Sequence, residues 1–138
     1  MKIEELLEYT ETWRTMVGYP DYEVSNLGRG RNKLTKRILT PEEHYGRDKT
    51  EPYLRFQIRR NHANKHVRVN RIVALTFIGP PPEPGMEVDH KDKNRKNNKL
   101  RNLQWVTPEV NQQLKKQVQK KRRSIRDVVK KDSTNETT

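Results

Sequence analysis

The sequence predicts an α+β fold. A small antiparallel β-sheet module leads into a compact strand–loop–strand–helix core, and a basic C-terminal helix follows. Three observations carry this expectation. Apolar and polar residues alternate at period two across 53–70. The period changes over 71–78, where Ile72, Val73, Leu75, Phe77 and Ile78 read as a short buried helix. Thr107 and Pro108 then open a four-residue spacing through Val110, Leu114 and Val118, the mark of an N-capped helix. With 138 residues, of which 30% are hydrophobic and 35% charged, the chain has too little apolar material for a large core.

The elements follow in order. Residues 2–9 are expected to form a short helix with Ile3, Leu6 and Leu7 on one side, marginal without tertiary support. Residues 13–40 read as short strands and turns: Tyr22-Glu23-Val24 is strand-like, Asn26 and Gly28 mark a turn, and Ile38-Leu39 closes the stretch before Pro41. Residues 41–52 are polar, with Pro41, Gly46 and Pro52, and read as a loop. Over 53–70, Leu54, Phe56, Ile58, Val67 and Val69 form one face of a hairpin turning at 60–65. The other face carries Arg55, Gln57, Arg59 and Arg68, a pattern suited to a ribbon in the DNA major groove. Gly79 and Pro80 stop the short helix, and Pro-Pro-Pro-Glu-Pro-Gly over 80–85 makes a stiff connector. A strand at Glu87-Val88, an Asn-rich loop and a strand at Leu103–Val106 precede the last helix, expected from 108 to about 130, with residues 132–138 disordered.

Charge narrows the partner. Lys and Arg number 30 against 18 Asp and Glu, a net charge of +12, while residues 1–23 are net acidic. The basic remainder points to a polyanion, and nucleic acid is the natural one. Lys115 and Lys116 begin a run of bases along the last helix, whose apolar stripe thins after Val118, against a membrane role. No apolar run approaches the ~20 residues of a membrane span. Glu4, Glu5 and Glu8 stand where a secretory signal would be apolar, so a cytoplasmic, DNA-associated protein is expected. The absence of cysteine removes disulfides, thiolate catalysis and zinc ribbons. His62 and His66 have metal-pair spacing but flank the expected turn without a third ligand. Trp13 and Trp105 are expected as core anchors.

The stretch 88–111 holds the chemistry. Asp89 and His90 end one strand, Asn102 opens the next, and Asn111 lies one turn into the following helix. Hydrolysis of a phosphodiester needs a base for water, an electropositive centre and help for the leaving oxygen. A carboxylate with an amide oxygen is a hard donor set suited to Mg²⁺ or Mn²⁺. A neutral imidazole can accept a proton from water near neutral pH, if an oxygen holds its other ring nitrogen. Asp92 suits an Asx turn, and Asn97 and Asn98 suit loop backbone groups.

The pattern Asp89-His90, Asn97-Asn98, Asn102-Leu-Gln-Trp-Val-Thr107 and Asn111 resembles the HNH motif of phage and intron-encoded homing endonucleases, in the variant whose last histidine is asparagine. Trp13 to Arg29 resembles their nuclease-associated N-terminal module, and His66 to Phe77 the segment leading into the nuclease core. The resemblance implies a ββα-metal fold and a site-specific DNA endonuclease using one divalent ion, Mg²⁺ or Mn²⁺. By position, Asp89 and Asn111 would bind the ion, His90 would be the general base, and Asn102 would orient His90 and tie the hairpin together. The products would carry 5′-phosphate and 3′-hydroxyl ends. The expected units are a DNA-binding module at 12–64, a nuclease core at 65–117 and a basic helical tail at 118–138. Double-stranded DNA is the expected partner of a monomer or weak homodimer. Arg29, Arg31, the hairpin's polar face and the basic helix would dock on it. A catalytically inactive DNA-binding protein or repressor of the same descent is the alternative. Two departures stand out: Lys93 replaces the family's usual glycine in the site loop, and Gly30 replaces a β-branched residue, which should loosen a strand.

Overall fold

The computed structural model describes the backbone of residues 2–135, with side chains except at positions 4, 7, 8, 118 and from 127 onward. Three small antiparallel sheets surround one short helix. The first sheet joins β1 (Trp13–Met16), β2 (Tyr19–Ser25) and β3 (Gly30–Asn32) in sequence order. The second joins β4 (Glu42–Tyr45), β5 (Pro52–Arg60) and β6 (Ala63–Arg68), again in order. The third is the pair β7 (Glu87–His90) and β8 (Leu103–Val106), linked by a loop that ends in a 3₁₀ turn at Leu100–Asn102. Helix α1 covers Ile3–Tyr9, α2 covers Val69–Phe77 and α3 covers Pro108–Asn135.

Helix α2 is the hub. It packs on strands of all three sheets, because Val69, Ile72, Val73 and Ala74 turn an apolar side inward. They join Met16, Val24, Phe56, Ile58, Val67 and Leu103 in one contiguous core. That cluster draws on both the 12–64 and 65–117 segments.

The hairpin of β5 and β6 keeps its period. Phe56 faces Val67 across the ladder, and Arg55 faces Arg68. Its turn is tighter than the sequence suggests: Asn61 and His62 alone reverse the chain, with φ of 51° and 63°, the doubly left-handed form that matches strand twist. Val69 belongs to α2 instead of the strand, and is fully buried there.

Several expectations are corrected. The polar stretch 41–52 is not all loop, because Glu42–Tyr45 pairs with the edge of β5 and Glu42 meets Arg55 across the strands at 2.8 Å. Helix α1 forms, but Ile3 and Leu6 of its apolar side stay exposed. Gly30 does not loosen β3. A Cβ there would stand 2.9 Å from the Phe56 ring, so the missing side chain is what lets the largest core residue seat against the first sheet. Trp13 and Trp105 are half-buried and stand outside the core cluster instead of anchoring it. The Trp105 indole N–H donates to the Gly79 carbonyl at 3.1 Å, and Trp13 lies beneath the guanidinium groups of Arg29 and Arg31. Residues 132–135 continue α3, since nothing between Glu109 and Thr138 is glycine or proline to stop it; positions 136–138 lie outside the described residues. Among the described residues no helix is long and apolar enough to cross a membrane.

Candidate active site

The loop between β7 and β8 is built by asparagine and aspartate side chains that replace a regular ladder. The Asp92 carboxylate accepts from the Asn94 amide N–H at 2.8 Å, an Asx turn as expected from sequence. It also accepts from the side-chain amides of Asn97 and Asn102, at 2.7 and 2.9 Å. Asn102 works both ways: its oxygen takes the Asp92 amide N–H at 3.0 Å and its nitrogen reaches the Asn97 carbonyl at 2.8 Å. Asn102 therefore ties the loop to the start of β8. It makes no hydrogen bond to the His90 ring.

The amide that holds His90 is Asn98. Its Oδ1 lies 2.8 Å from Nε2, and both residues are buried. An amide oxygen can only accept, so Nε2 carries the ring proton and Nδ1 keeps its lone pair. Among the described residues Nδ1 has no hydrogen-bond partner and no buried side-chain polar atom is orphaned, so Nδ1 opens to solvent. Burial pushes the His90 pKa below its ordinary value of 6.5, against the opposing pull of Asn98, Asp89 and Asp92. The imidazole is thus neutral near pH 7.

Asn98 in turn is fixed from the first sheet. Gly28, at φ +85°, brings its backbone so close that a Cβ would sit 2.9 Å from the Asn98 carbonyl oxygen. Next to it, the Leu100 amide N–H donates to the Asn26 carbonyl at 2.8 Å. The turn Asn26–Gly28 therefore clamps the loop that orients His90.

Asp89 is one residue back on β7 and only 5% exposed. Its Oδ2 accepts from Gln104, directly opposite on β8, at 2.9 Å, and its Oδ1 accepts from the Lys93 ammonium at 2.7 Å. Asn111, in the first turns of α3, donates its side-chain N–H to Glu87 at 2.6 Å, which leaves the amide oxygen as its ligand atom. Thr107 caps α3 through the Val110 amide N–H at 3.2 Å, which sets the angle at which Asn111 arrives. Asp89, His90, Lys93 and Asn111 line one open cleft of about 390 Å³, walled by Tyr53 and Arg95 and by Lys115 and Arg122 of α3.

The donor set fits a hard divalent ion. Among the described residues no three His, Cys, Asp or Glu side chains gather into a closed cage. One carboxylate and one amide oxygen in a shared cleft form an open set, with room for phosphate and water. A positive charge already stands at Asp89 Oδ1, in the form of the Lys93 ammonium.

The remaining expected residues are spread. Gln57, Arg59 and Arg68 are exposed on the outer hairpin face, with Arg68 stacked on Tyr53 at 4.2 Å. Arg55 is held by Glu42. Arg29 pairs with Glu11 and Arg31 with Glu23, so both guanidinium groups are neutralised in the free protein. Lys115 and Lys116 are exposed on α3, and Lys115 alone of the two reaches the cleft. His66 pairs with Glu42 and has no metal partner in His62, which sits at the hairpin tip. Asn98, Gln104 and Glu87 were not singled out as site residues in the sequence. The strand alternation that puts Glu87 beside Asp89, and the register that puts Gln104 opposite it, were the available signals.

Comparison with known proteins agrees with this geometry. Residues 67–113 match the HNH endonuclease family model. The chain is 33% identical over 100 residues to the DNA endonuclease I-HmuI of Bacillus phage SP01, covering 72% of this chain and 54% of that protein. It is 34% identical over 93 residues to an uncharacterised HNH endonuclease of Acanthamoeba polyphaga mimivirus, covering 66% of this chain and 26% of that protein. A solved structure of DNA binding and cleavage by the HNH homing endonuclease I-HmuI superposes with a TM-score of 0.63 at 32% identity, over 79% of this chain and 59% of that one. The chain thus spans about half of the phage relative and a quarter of the viral one. With an α+β architecture and a strand–loop–strand–helix site, the chain carries a segment containing Asp89, His90, Asn102 and Asn111 that matches the HNH endonuclease family model, and it is homologous to the phage homing endonuclease I-HmuI in sequence and in structure.

Proposed function

We propose that the protein is a metal-dependent, site-specific DNA endonuclease of homing type. The observation that carries this reading is the cleft itself: a buried carboxylate, a neutral imidazole with one nitrogen held, and an amide share one pocket with basic walls. Asp89 and the Asn111 side-chain oxygen would hold one Mg²⁺ or Mn²⁺. That ion, when bound, would supply charge stabilisation at the scissile phosphate and the leaving 3′ oxygen.

The rest is work for the chain's own groups. His90 Nδ1 accepts a proton from the attacking water, while Asn98 keeps the ring in the tautomer that leaves Nδ1 basic. Asn102 holds the loop on which Asn98 and Asp92 sit. Gln104 and Glu87 brace Asp89 and Asn111, as supporting groups brace metal ligands elsewhere. Attack by water at phosphorus leaves a 5′-phosphate and a 3′-hydroxyl. Duplex DNA would be held by the outer hairpin face (Gln57, Arg59, Arg68) and by α3, with Arg29 and Arg31 exchanging their carboxylate partners for phosphates.

One observation favours a second reading, a DNA-binding protein without cleavage: Lys93 already occupies Asp89. A single assay separates them. Supercoiled plasmid carrying the cognate insertion region, incubated with Mg²⁺ or Mn²⁺, should yield nicked or linear product that disappears with His90→Ala. Tight binding with no cleavage under any divalent ion supports the inactive reading.

A further inference from the structure

Lys93 is the residue in the site whose presence neither loop architecture nor hydrolysis requires. It sits at φ +63°, in the left-handed region that a glycine would adopt freely and that strains other residues. From that strained position its ammonium reaches Asp89 Oδ1 at 2.7 Å. The lysine side chain is 23% exposed and the Asp89 side chain 5%, so a partly buried arm, open to solvent at one side, places its charge on a buried carboxylate. The other Asp89 oxygen is taken by Gln104. Asp89 therefore has no oxygen free of a donor, while Asn111 keeps its amide oxygen available.

Two cations drawn to Oδ1 compete, since like charges at that spacing repel strongly where water is largely excluded. We propose that Lys93 is a displaceable internal cation that closes the site: its ammonium holds Asp89 when no divalent ion is present, and must swing into solvent for the ion to bind. The inference rests on the reading of Asp89 as a metal ligand. A lysine suits this work. Its stem is flexible, its head is a compact point charge well solvated in water, and its turn is at the surface, so release costs little beyond the ion pair. The consequence is a metal affinity lowered by the fraction of molecules in which Asp89 is free. A buried carboxylate is meanwhile kept from standing uncompensated.

The test is direct Mn²⁺ binding to the full chain, read from the paramagnetic resonance signal of the free ion. Lys93→Met removes the charge at nearly constant length, and should tighten Mn²⁺ binding about tenfold, as expected if roughly a tenth of the protein is open. Asp89→Asn should weaken it severely. Acetylation of Lys93 in the wild-type protein, followed by mass spectrometry, should accelerate severalfold when Mn²⁺ is added, and should already be fast in Asp89→Asn. This second readout needs no Lys93 variant to fold. Unchanged affinity in Lys93→Met, with Asp89→Asn still weakened, overturns the gate and leaves the metal reading standing. Unchanged affinity in Asp89→Asn overturns the metal reading, and the gate with it. Slower acetylation of Lys93 in the presence of Mn²⁺ also overturns the gate.

Discussion

His90 is poised by burial and by one amide. If Asn98 sets its tautomer, Asn98→Ala should lower kcat by about 10- to 100-fold with little change in KM, the range seen when groups supporting a reactive side chain are lost. His90→Ala should cost about 10²- to 10⁴-fold. The histidine's depressed pKa has a definite sign. The folded state disfavours the protonated ring, so the unfolded chain binds the extra proton more readily as pH falls. The residue's stabilisation is therefore complete above its ordinary 6.5 and is lost on acidification. In the metal-free protein, an NMR titration of the imidazole should show a midpoint below 6.5. At this scale the sequence was informative about residue types but not about partners. Asp89, His90 and Asn111 could be singled out from motif spacing, yet which of four asparagines touches the ring depends on how a twelve-residue loop folds back, and no periodicity encodes that. Only the departure at Lys93 was legible twice over, as an unusual residue and as a position needing positive φ.

The elements that matter most to the site are turns. Gly28→Ala should destabilise the fold by about 1–3 kcal/mol, because the new methyl meets the Asn98 backbone and the backbone angle is unfavourable for alanine. It should also slow cleavage more than a surface substitution of equal stability cost; urea denaturation together with kinetics on one sample checks both. Gly30→Val should cost about 1–3 kcal/mol by forcing the Phe56 ring out of its seat. The loop before β5 is pinned to the site by Asp48, which pairs with Arg95 at 2.6 Å. The Arg95 guanidinium holds the Asp48 carboxyl down, from 3.8 to about 2. That pair is intact above the ordinary 3.8 and dissolves as pH falls through about 2, so wild type and Asp48→Asn should converge in melting temperature in strong acid. Period-two and helical spacings made most elements legible in advance. Strand β4 was not, because Glu42–Tyr45 has no alternation of its own and exists by pairing with a neighbour. The contact from Gly28 to Asn98 joins positions seventy residues apart, and a single sequence holds no trace of it.

For the whole molecule, the basic surface predicts that DNA affinity falls steeply as salt rises, since each neutralised phosphate releases counterions. A plot of log affinity against log salt measures the number of such contacts, and Lys115→Ala should reduce its slope by about one. An α+β class was legible from composition and patterning; that three sheets share a single core was not, since the notional boundary near residue 64 looked like a seam. Helix α2 packs across that boundary. Its apolar side is covered by Met16 and Val24 from the first sheet, Phe56 and Ile58 from the second, and Leu103 from the third. A fragment beginning at residue 65 would lose most of that covering and bare the apolar side of α2 to water, and thermal melting of the intact chain should show one transition. The loop that holds His90 is therefore not portable by itself: anyone transplanting it into a new scaffold must bring the first sixty residues as its foundation, or rebuild their surface on the recipient.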